Sequence, residues 1–267
     1  MMLEDLGEES LRAGRQLVGR ARNLVVISGA GMSADSGIAT FRKVGSSGGW
    51  DAVAQAVATP EGFREDPQRV WSGYLHRRRE ALKAMPHAGY AALVAWEQRS
   101  NVTIITQNVD GLHIRSGSRS VIELHGTLFR FFCVDNQHPV IDVDDEDLVP
   151  RCPLCASYVR PAVVWFGEWL PQAALRASEA AVHDAHAILL IGTSLEVSSP
   201  KSLLRAAARR RTPIIEVNPE PTLPVAGKVD PVSGGQGLPA ADVTLAGSAS
   251  VVLPQLLRLG GADSPPS

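Results

Sequence analysis

Residues 24–31 read Leu-Val-Val-Ile-Ser-Gly-Ala-Gly, an apolar run that ends in a glycine-rich turn. Four similar short runs follow, at residues 102–106, 187–191, 213–217 and 242–245. Strands that are apolar along their whole length are expected where helices cover both faces of a parallel sheet. We therefore predict a doubly wound α/β core. A helix over residues 3–22 should precede it, because acidic residues come early and arginines late in that stretch.

Two segments interrupt the alternation of strands and helices. Residues 45–87 contain a glycine-rich loop followed by helical sequence, and residues 126–169 hold all three cysteines and an acidic stretch. We predict that these insertions form a smaller module over one edge of the sheet. The core then comprises about residues 1–44, 88–125 and 170–258, and residues 260–267 (Gly-Gly-Ala-Asp-Ser-Pro-Pro-Ser) are typical of a disordered tail.

Composition excludes several classes of protein. The net charge is -2, so there is no overall basic excess for binding nucleic acid. No apolar stretch reaches the roughly 20 residues that cross a bilayer, and the first residues lack the pattern of an export signal. We expect a cytoplasmic protein with no membrane or nucleic-acid partner. Its odd number of cysteines, Cys133, Cys152 and Cys155, favours metal binding over a disulfide framework.

The turn at residues 29–34, Gly-Ala-Gly-Met-Ser-Ala, matches G-x-G-x-x-A, in which glycines let the backbone approach a pyrophosphate. A tight turn without a ligand is the alternative. A hydride-transferring enzyme would continue to a second strand that ends in an acidic residue about 20 positions on. Here the chain continues as polar and glycine-rich loop sequence to Trp50, which disfavours that class. The other strand ends also carry small or polar groups, which favours a shared ligand.

Six separated motifs occur in the order and approximate spacing of the sirtuin (Sir2) family, which this chain resembles over about residues 20–255. They are Gly-Ala-Gly-Met-Ser-Ala-Asp-Ser-Gly-Ile-Ala-Thr-Phe-Arg at 29–42, Thr-Gln-Asn-Val-Asp-Gly-Leu-His at 106–113, Glu-Leu-His-Gly at 123–126, Val-Val-Trp-Phe-Gly-Glu at 163–168, Gly-Thr-Ser at 192–194, and Asn218. The resemblance implies a Rossmann-like core and NAD-dependent removal of acyl groups from protein lysines, with release of nicotinamide and O-acyl-ADP-ribose.

The resemblance also implies roles for individual residues. His125 is the expected general base, and imidazole accepts a proton near neutral pH; a buried structural histidine is the alternative. We assign His113 a structural role. The NAD-binding residues implied are Gly29, Ala30, Gly31, Asp35, Phe41, Arg42, Gln107, Asn108, Asp110, Gly192, Thr193, Ser194, Asn218 and Ala249, the last with its neighbour Ser248. Asn and Gln side chains suit a carboxamide or a hydroxyl because they both donate and accept.

The substrate should be an acylated lysine in a protein or peptide. The run Val163, Val164, Trp165, Phe166, Gly167 is suited to main-chain pairing with a peptide, although an ordinary buried strand has the same composition. Tyr74 and Arg77 are three residues apart, so they share a face of a helix. The pair resembles the Tyr-x-x-Arg of the sirtuin subclass that removes succinyl and malonyl groups, and a solvated basic helix is the alternative.

The cysteines form an incomplete metal site. Cys152 and Cys155 have the spacing of half a zinc site, and Cys133 lies upstream, but Asn136 occupies the position where zinc-binding relatives have a fourth cysteine. His138 or Asp135 could complete the site, and an empty site is the alternative. Three functions remain as competitors of the deacylase: hydride transfer, a non-catalytic NAD or ADP-ribose sensor, and an NAD glycohydrolase or ADP-ribosyltransferase.

Overall fold

The computed structural model describes residues 7–39, 58–141, 143, 148–226 and 237–258. The strands are β1 (Asn23–Ser28), β2 (Asn101–Thr106), β3 (Val121–Glu123), β4 (Gly126–Cys133), β5 (Pro139–Val140), β6 (Val159–Val163), β7 (Ala187–Ile191), β8 (Ile214–Asn218) and β9 (Val243–Ala246). The helices are α1 (Glu8–Arg20), α2 (Gly31–Ala34), α3 (Pro60–Glu65), α4 (Pro67–Lys83), α5 (Ala88–Trp96), α6 (Leu112–Arg115), α7 (Gln172–His183), α8 (Ser198–Arg209) and α9 (Ala249–Leu256).

Six parallel strands form the main sheet, in the order β3-β2-β1-β7-β8-β9. The order reverses between β1 and β7, because the chain leaves β1 toward β2 on one side and returns to β7 on the other. Loops at such a reversal diverge and leave a crevice beyond the carboxyl ends of the strands, where ligands of open α/β sheets bind. The topology therefore places the candidate site at the ends of β1 and β7.

Helices cover both faces of this sheet. In β1, Leu24 and Val26 pack into one buried cluster, which also contains side chains of α1, α5 and α9. Val25 and Ile27 point to the opposite face and pack with α7 and α8. Because alternate residues of a strand face opposite sides, a strand buried on both sides must be apolar throughout. The predicted doubly wound α/β core is confirmed.

The bounds of the predicted strands are close to those observed. The strand predicted at 187–191 has those bounds, and the strands predicted at 213–217 and 242–245 are each shifted by one residue. The helix predicted at 3–22 is α1, which is helical over Glu8–Arg20, and residues 1–6 lie outside the described part. The predicted tail at 260–267 also lies outside the described residues.

A smaller antiparallel sheet, in the order β5-β4-β6, is built from the second insertion. Helices α3 and α4 come from the first insertion, and α4 packs against β4. Thr59 and Asp66 begin these two helices by accepting hydrogen bonds from Gly62 N and Arg69 N, and a proline follows each cap. The predicted smaller module is present, while its proposed boundaries stay a prediction. None of the described helices is long and apolar enough to cross a bilayer.

Candidate NAD and acyl-lysine site

Four strand ends meet at the reversal of the sheet. Gly29 N donates to Ile191 O at 2.9 Å and Gly31 N donates to Gly192 O at 2.8 Å, so the glycine turn after β1 lies directly on the turn after β7. From the neighbouring strand ends, Gln107 Nε2 donates to Thr193 Oγ1 at 3.3 Å and Asn218 Nδ2 donates to Thr193 O at 3.0 Å. The structure thus brings together most of the residues that the sequence predicts to bind NAD.

The glycines are required by this close approach. A Cβ atom on Gly31 would lie 2.7 Å from Gly192 Cα, and one on Gly29 would lie 2.8 Å from Gly192 O. Gly192 itself has a φ of +55°, which side chains rarely adopt. The tight packing of the two turns therefore accounts for the glycines by itself.

A buried polar network holds the segment after β2. Ser33 Oγ donates to Asp110 Oδ2 at 2.7 Å, accepts from Asn108 Nδ2 at 2.9 Å, and lies 2.9 Å from the Tyr90 hydroxyl. Asn108 Nδ2 also donates to Gly29 O at 2.9 Å. Burial raises the pKa of Asp110, although the hydrogen bonds from Leu112 N and Ser33 oppose that shift. The network fixes Asn108 and Asp110 against the glycine turn.

Other predicted NAD-binding residues lie at the edge of this cluster. Asp35 accepts a short hydrogen bond from Ser250 Oγ, which ties the end of α2 to the start of α9. Burial disfavours the charge of Asp35, but the hydrogen bonds from Ser250 and Ser248 outweigh it and lower the pKa. Ala249 is 3% exposed and packs in the core. Phe41 and Arg42 lie outside the described residues.

His125 lies between β3 and β4, with its ring partly buried. Its Nδ1 is 3.2 Å from Gln107 O, and its Nε2 is 3.4 Å from Ser199 Oγ on the first turn of α8. A carbonyl oxygen only accepts, so Nδ1 carries the proton and Nε2 presents a lone pair. Burial lowers the pKa of His125, although the bond to Gln107 opposes that shift. The geometry suits a neutral ring that accepts a proton at Nε2.

His113 has different surroundings. It is 2% exposed, its Nε2 lies 3.0 Å from Ser28 Oγ, and its ring packs against Tyr90 with centroids 4.8 Å apart. Burial lowers the pKa of His113 to about 3, so the ring is neutral at physiological pH. These surroundings agree with the structural role assigned to His113.

The segment predicted to be extended from Val163 to Gly167 is a strand only at Val163, where β6 ends. The rest turns: Glu168 N donates to Trp165 O at 3.1 Å, and Gly167 has a φ of +87°. Its amides are used within the chain, because Val164 N donates to His125 O and Phe166 N donates to Ala58 O, both at 2.9 Å. The alternative of an ordinary strand over this run is therefore wrong beyond Val163, while its pairing with a peptide stays a prediction. Val163 and Trp165 are buried, and Phe166 is 37% exposed.

Tyr74 and Arg77 lie on α4, and the Arg77 guanidinium is 5.9 Å from the centroid of the Tyr74 ring. Tyr74 is 7% exposed, and its ring centroid is 6.3 Å from that of Trp165. Burial raises the pKa of Tyr74, although Arg77 opposes that shift. The hydroxyl therefore stays protonated and can donate a hydrogen bond. The structure joins the predicted Tyr-Arg pair to the turn that follows β6.

His138 joins the three cysteines in a cluster that could hold a metal ion. The sulfur atoms of Cys133, Cys152 and Cys155 and a ring nitrogen of His138 all lie within 4.8 Å of one another. Among the described residues, Asp135 is not part of this group. A side-chain hydrogen bond from Asn136 lowers the pKa of Cys155 to about 6. Three thiolates and one imidazole are a donor set that suits tetrahedral zinc.

The chain was compared with known proteins. A Sir2 family model matches residues 29–199. The chain belongs to the Sir2 family. Similar relatives include an NAD-dependent protein deacylase of Thermococcus kodakarensis, 40% identical over 91% of this chain and 93% of the relative. An NAD-dependent protein deacylase Sir2 of Mycolicibacterium smegmatis is 38% identical over 88% of this chain and 95% of the relative.

Solved Sir2 structures have the same fold as this Sir2-family chain. A Sir2 homologue in complex with NAD is 35% identical and has a TM-score of 0.80, with 92% of each chain covered. A Sir2 protein bound to a propionylated peptide is 26% identical and has a TM-score of 0.75, covering 92% of this chain and 97% of that one. The predicted family and Rossmann-like fold are confirmed.

Sequence reasoning missed several residues of this Sir2-family site. Ser33 lies inside the glycine motif but was not singled out, and its position within a polar motif was the available signal. Tyr90 and Ser199 carry no local signal, because only the folded chain brings them to Ser33 and His125. Arg160 carries no local sequence signal either, because Glu168, its ion-pair partner, lies eight positions further along the chain.

Proposed function

We propose that this chain is an NAD-dependent protein-lysine deacylase that prefers acyl groups ending in a carboxylate, succinyl and malonyl, over acetyl. The general reaction is supported by relatives named NAD-dependent protein deacylase, which are up to about 40% identical and match nearly the full chain. One observation carries the preference for acidic acyl groups. Tyr74 and Arg77 lie together on α4, beside the Trp165 turn of the predicted acyl-lysine segment.

The residues at the carboxyl ends of the strands fit NAD. The crevice is bordered by two turns that contain Gly29, Gly31 and Gly192, and glycine-rich turns suit a pyrophosphate that approaches the backbone. When bound, NAD supplies the ADP-ribosyl group that accepts the acyl group from lysine. Gln107 and Asn108 are held by hydrogen bonds to Thr193 and Gly29, so their remaining polar atoms have fixed positions from which to orient a carboxamide or a hydroxyl.

His125 serves as the general base. Because Gln107 O holds the proton on Nδ1, Nε2 is available to accept a proton from a hydroxyl group. The bond from Val164 N to His125 O fixes the base to the start of the acyl-lysine segment. The distance and orientation between His125 and the acyl-lysine segment are therefore fixed, and catalysis by positioning requires such a fixed geometry.

Tyr74 and Arg77 recognise the acid group of the acyl chain. A guanidinium can donate two parallel hydrogen bonds to a carboxylate, and the protonated phenol supplies a third. An acetyl group has no terminal carboxylate to accept these bonds. Because Tyr74 is buried beside Trp165 and Arg77 is half-buried, these bonds form away from bulk water, where they are stronger.

The test is nicotinamide release from NAD, measured with no peptide and with matched acetyl-, malonyl- and succinyl-lysine peptides. We expect release only with an acylated peptide and a higher kcat/KM for the two acidic acyl groups. Release without peptide would indicate a glycohydrolase or an ADP-ribosyltransferase, and NAD binding without turnover would indicate a sensor. Equal kcat/KM for acetyl and succinyl peptides would refute the acyl preference alone. The cytoplasm is the location we propose, testable by cell fractionation.

A further inference from the structure

A buried ion pair lies behind the turn that follows β6. Arg160 Nη1 donates to Glu168 Oε1 at 2.6 Å, and Nη2 donates to Glu168 Oε2 at 3.0 Å. The two side chains are 5% and 29% exposed. Arg160 Nη2 also donates to Val163 O at 2.6 Å, at the end of β6. A bidentate pair with additional hydrogen bonds is the geometry in which buried charges are tolerated, and it restricts both side chains strongly.

Glu168 also closes the turn. Its Oε2 accepts from Trp165 N at 2.7 Å, and its own N–H donates to Trp165 O at 3.1 Å. Between them Gly167 has a φ of +87°, which a residue with a side chain rarely adopts. A single carboxylate therefore holds both the guanidinium of Arg160 and the backbone amide of Trp165. Moving it would release the turn and the cation at the same time.

The indole of Trp165 transmits this constraint to the acyl site. The Arg160 guanidinium lies 3.1 Å from the centroid of the Trp165 ring. The same ring packs against Phe63, with centroids 5.2 Å apart, and against Tyr74, with centroids 6.3 Å apart. A continuous series of contacts thus runs from Glu168 through Arg160 and Trp165 to the phenol of Tyr74.

We propose that Arg160 and Glu168 are positioning residues for the acyl-lysine site: their ion pair fixes the Trp165 turn and, through the indole, the wall of the acyl site at Tyr74. The inference rests on the proposed function, because it takes the Trp165 turn and Tyr74 as parts of that site. Displacements of about an ångström at groups that position a substrate reduce its productive binding. Because Trp165 is a predicted contact of the acyl-lysine whatever its acyl group, a shift of the indole weakens binding of acetyl and succinyl peptides alike.

The test is Glu168→Gln, which keeps the size of the side chain and removes its charge. We expect KM for acetyl- and succinyl-lysine peptides to rise by a similar factor, about tenfold, with kcat within threefold and KM for NAD within twofold. Calorimetric titration of the same peptides without NAD should show the same loss of affinity, a readout that requires no turnover. Arg160→Lys should behave like Glu168→Gln, because lysine cannot make the bidentate pair.

A matched control is Glu97→Gln. Glu97 is a buried carboxylate, 4% exposed, that accepts from Nε of the exposed Arg119 side chain at 2.6 Å. We expect Glu97→Gln to lower the melting temperature and leave peptide KM within twofold. If Glu168→Gln only lowers the melting temperature in the same way, or changes peptide KM, NAD KM and kcat together, the positioning role is wrong. If Glu168→Gln does not fold, Arg160→Lys decides by the same criteria.

The outcome is separable from that of the proposed function. The acyl preference is read from the succinyl-to-acetyl ratio of wild-type protein, whereas the positioning role is read from the common loss on both peptides. A wild-type ratio near one with a tenfold loss in Glu168→Gln would refute the preference and support the positioning role. A high succinyl-to-acetyl ratio in the wild-type protein, with no loss of peptide affinity in Glu168→Gln, would support the preference and refute the positioning role.

Discussion

His125 Nδ1 lies 3.2 Å from the carbonyl oxygen of Gln107, so a residue of the predicted nicotinamide segment sets the tautomer of the predicted base. This relation leaves the lone pair of the ring on Nε2. Burial lowers the pKa of the ring below its ordinary value of 6.5. The base is therefore neutral, and ready to accept a proton, throughout the physiological range of pH.

We predict that His125→Ala lowers kcat by about 10²- to 10⁴-fold, the usual contribution of a general base. NAD affinity and melting temperature should change little, because the imidazole acts on a ribose hydroxyl after the cofactor is bound. In wild-type protein the acid limb of kcat/KM should fall below pH 6.5, since the folded-state pKa is lowered. Single-turnover rates and NAD titration check the first point. Deacylation by His125→Ala at the wild-type rate would remove His125 from the mechanism.

Arg77→Met should reduce kcat/KM for a succinyl-lysine peptide. The expected loss corresponds to about 2 to 4 kcal/mol of transition-state stabilisation, the cost of a buried carboxylate that loses its charged partner. Turnover of an acetyl-lysine peptide should stay within a few fold. The matched control is Arg79→Met, two positions further on the same helix and exposed, which should leave both substrates unchanged. Equal losses on the two peptides in Arg77→Met would mean that Arg77 supports the fold or the cofactor.

Asn108→Ala and Asp110→Ala should impair the placement of nicotinamide more than the affinity for NAD, because the other strand ends hold the rest of the cofactor. We expect kcat to fall at least tenfold while the thermal shift produced by saturating NAD is retained. Asp110 also holds Ser33 and Leu112 N. If NAD produced no thermal shift in either variant, the two residues would be structural supports of the crevice.

Metal content tests the role of His138. We expect one zinc per chain in protein prepared with zinc, loss of most of it in His138→Ala, and retention in Asp135→Asn, since Asp135 lies outside the ligand group. A strong chelator should lower the melting temperature of wild-type protein, because metal that binds only the folded chain stabilises it. Elemental analysis that finds no zinc in the wild-type protein would refute the site.

His113 predicts a pH dependence of stability. Its pKa is about 3 in the folded chain and ordinarily 6.5, so between these values the unfolded chain binds one more proton. Stability should therefore fall as the pH drops below 6.5, by about 1.4 kcal/mol per pH unit from this group. Urea unfolding of wild type and His113→Gln at several pH values gives the difference in slope. Identical slopes would show that His113 is not buried as a neutral ring.

The sequence alone was sufficient to predict the Rossmann-like core. A central strand such as β7 is buried along its whole length and therefore apolar, so the run at residues 187–191 predicts both the strand and its bounds. The motifs at the strand ends were also readable, since the carboxyl ends of parallel strands meet at one edge of the sheet. The order of the strands brings these motifs together, whereas the contacts of Tyr90 and Ser199 with the site depend on the packing of their helices.

The details of the smaller module could be learned only from the tertiary structure. Residues 163–167 have the composition of a strand, but Glu168 closes them into a turn by bonding Trp165 N and Arg160, a partner that composition cannot identify. His138, and not Asp135, lies in the cluster that could hold a metal, because the pairing of β4 with β5 and β6 brings it to Cys152 and Cys155. The periodicity of apolar residues in one segment predicts which of its faces is buried. An ion pair or a set of metal ligands also depends on where a second, distant segment of the chain lies, and that is decided by the tertiary structure.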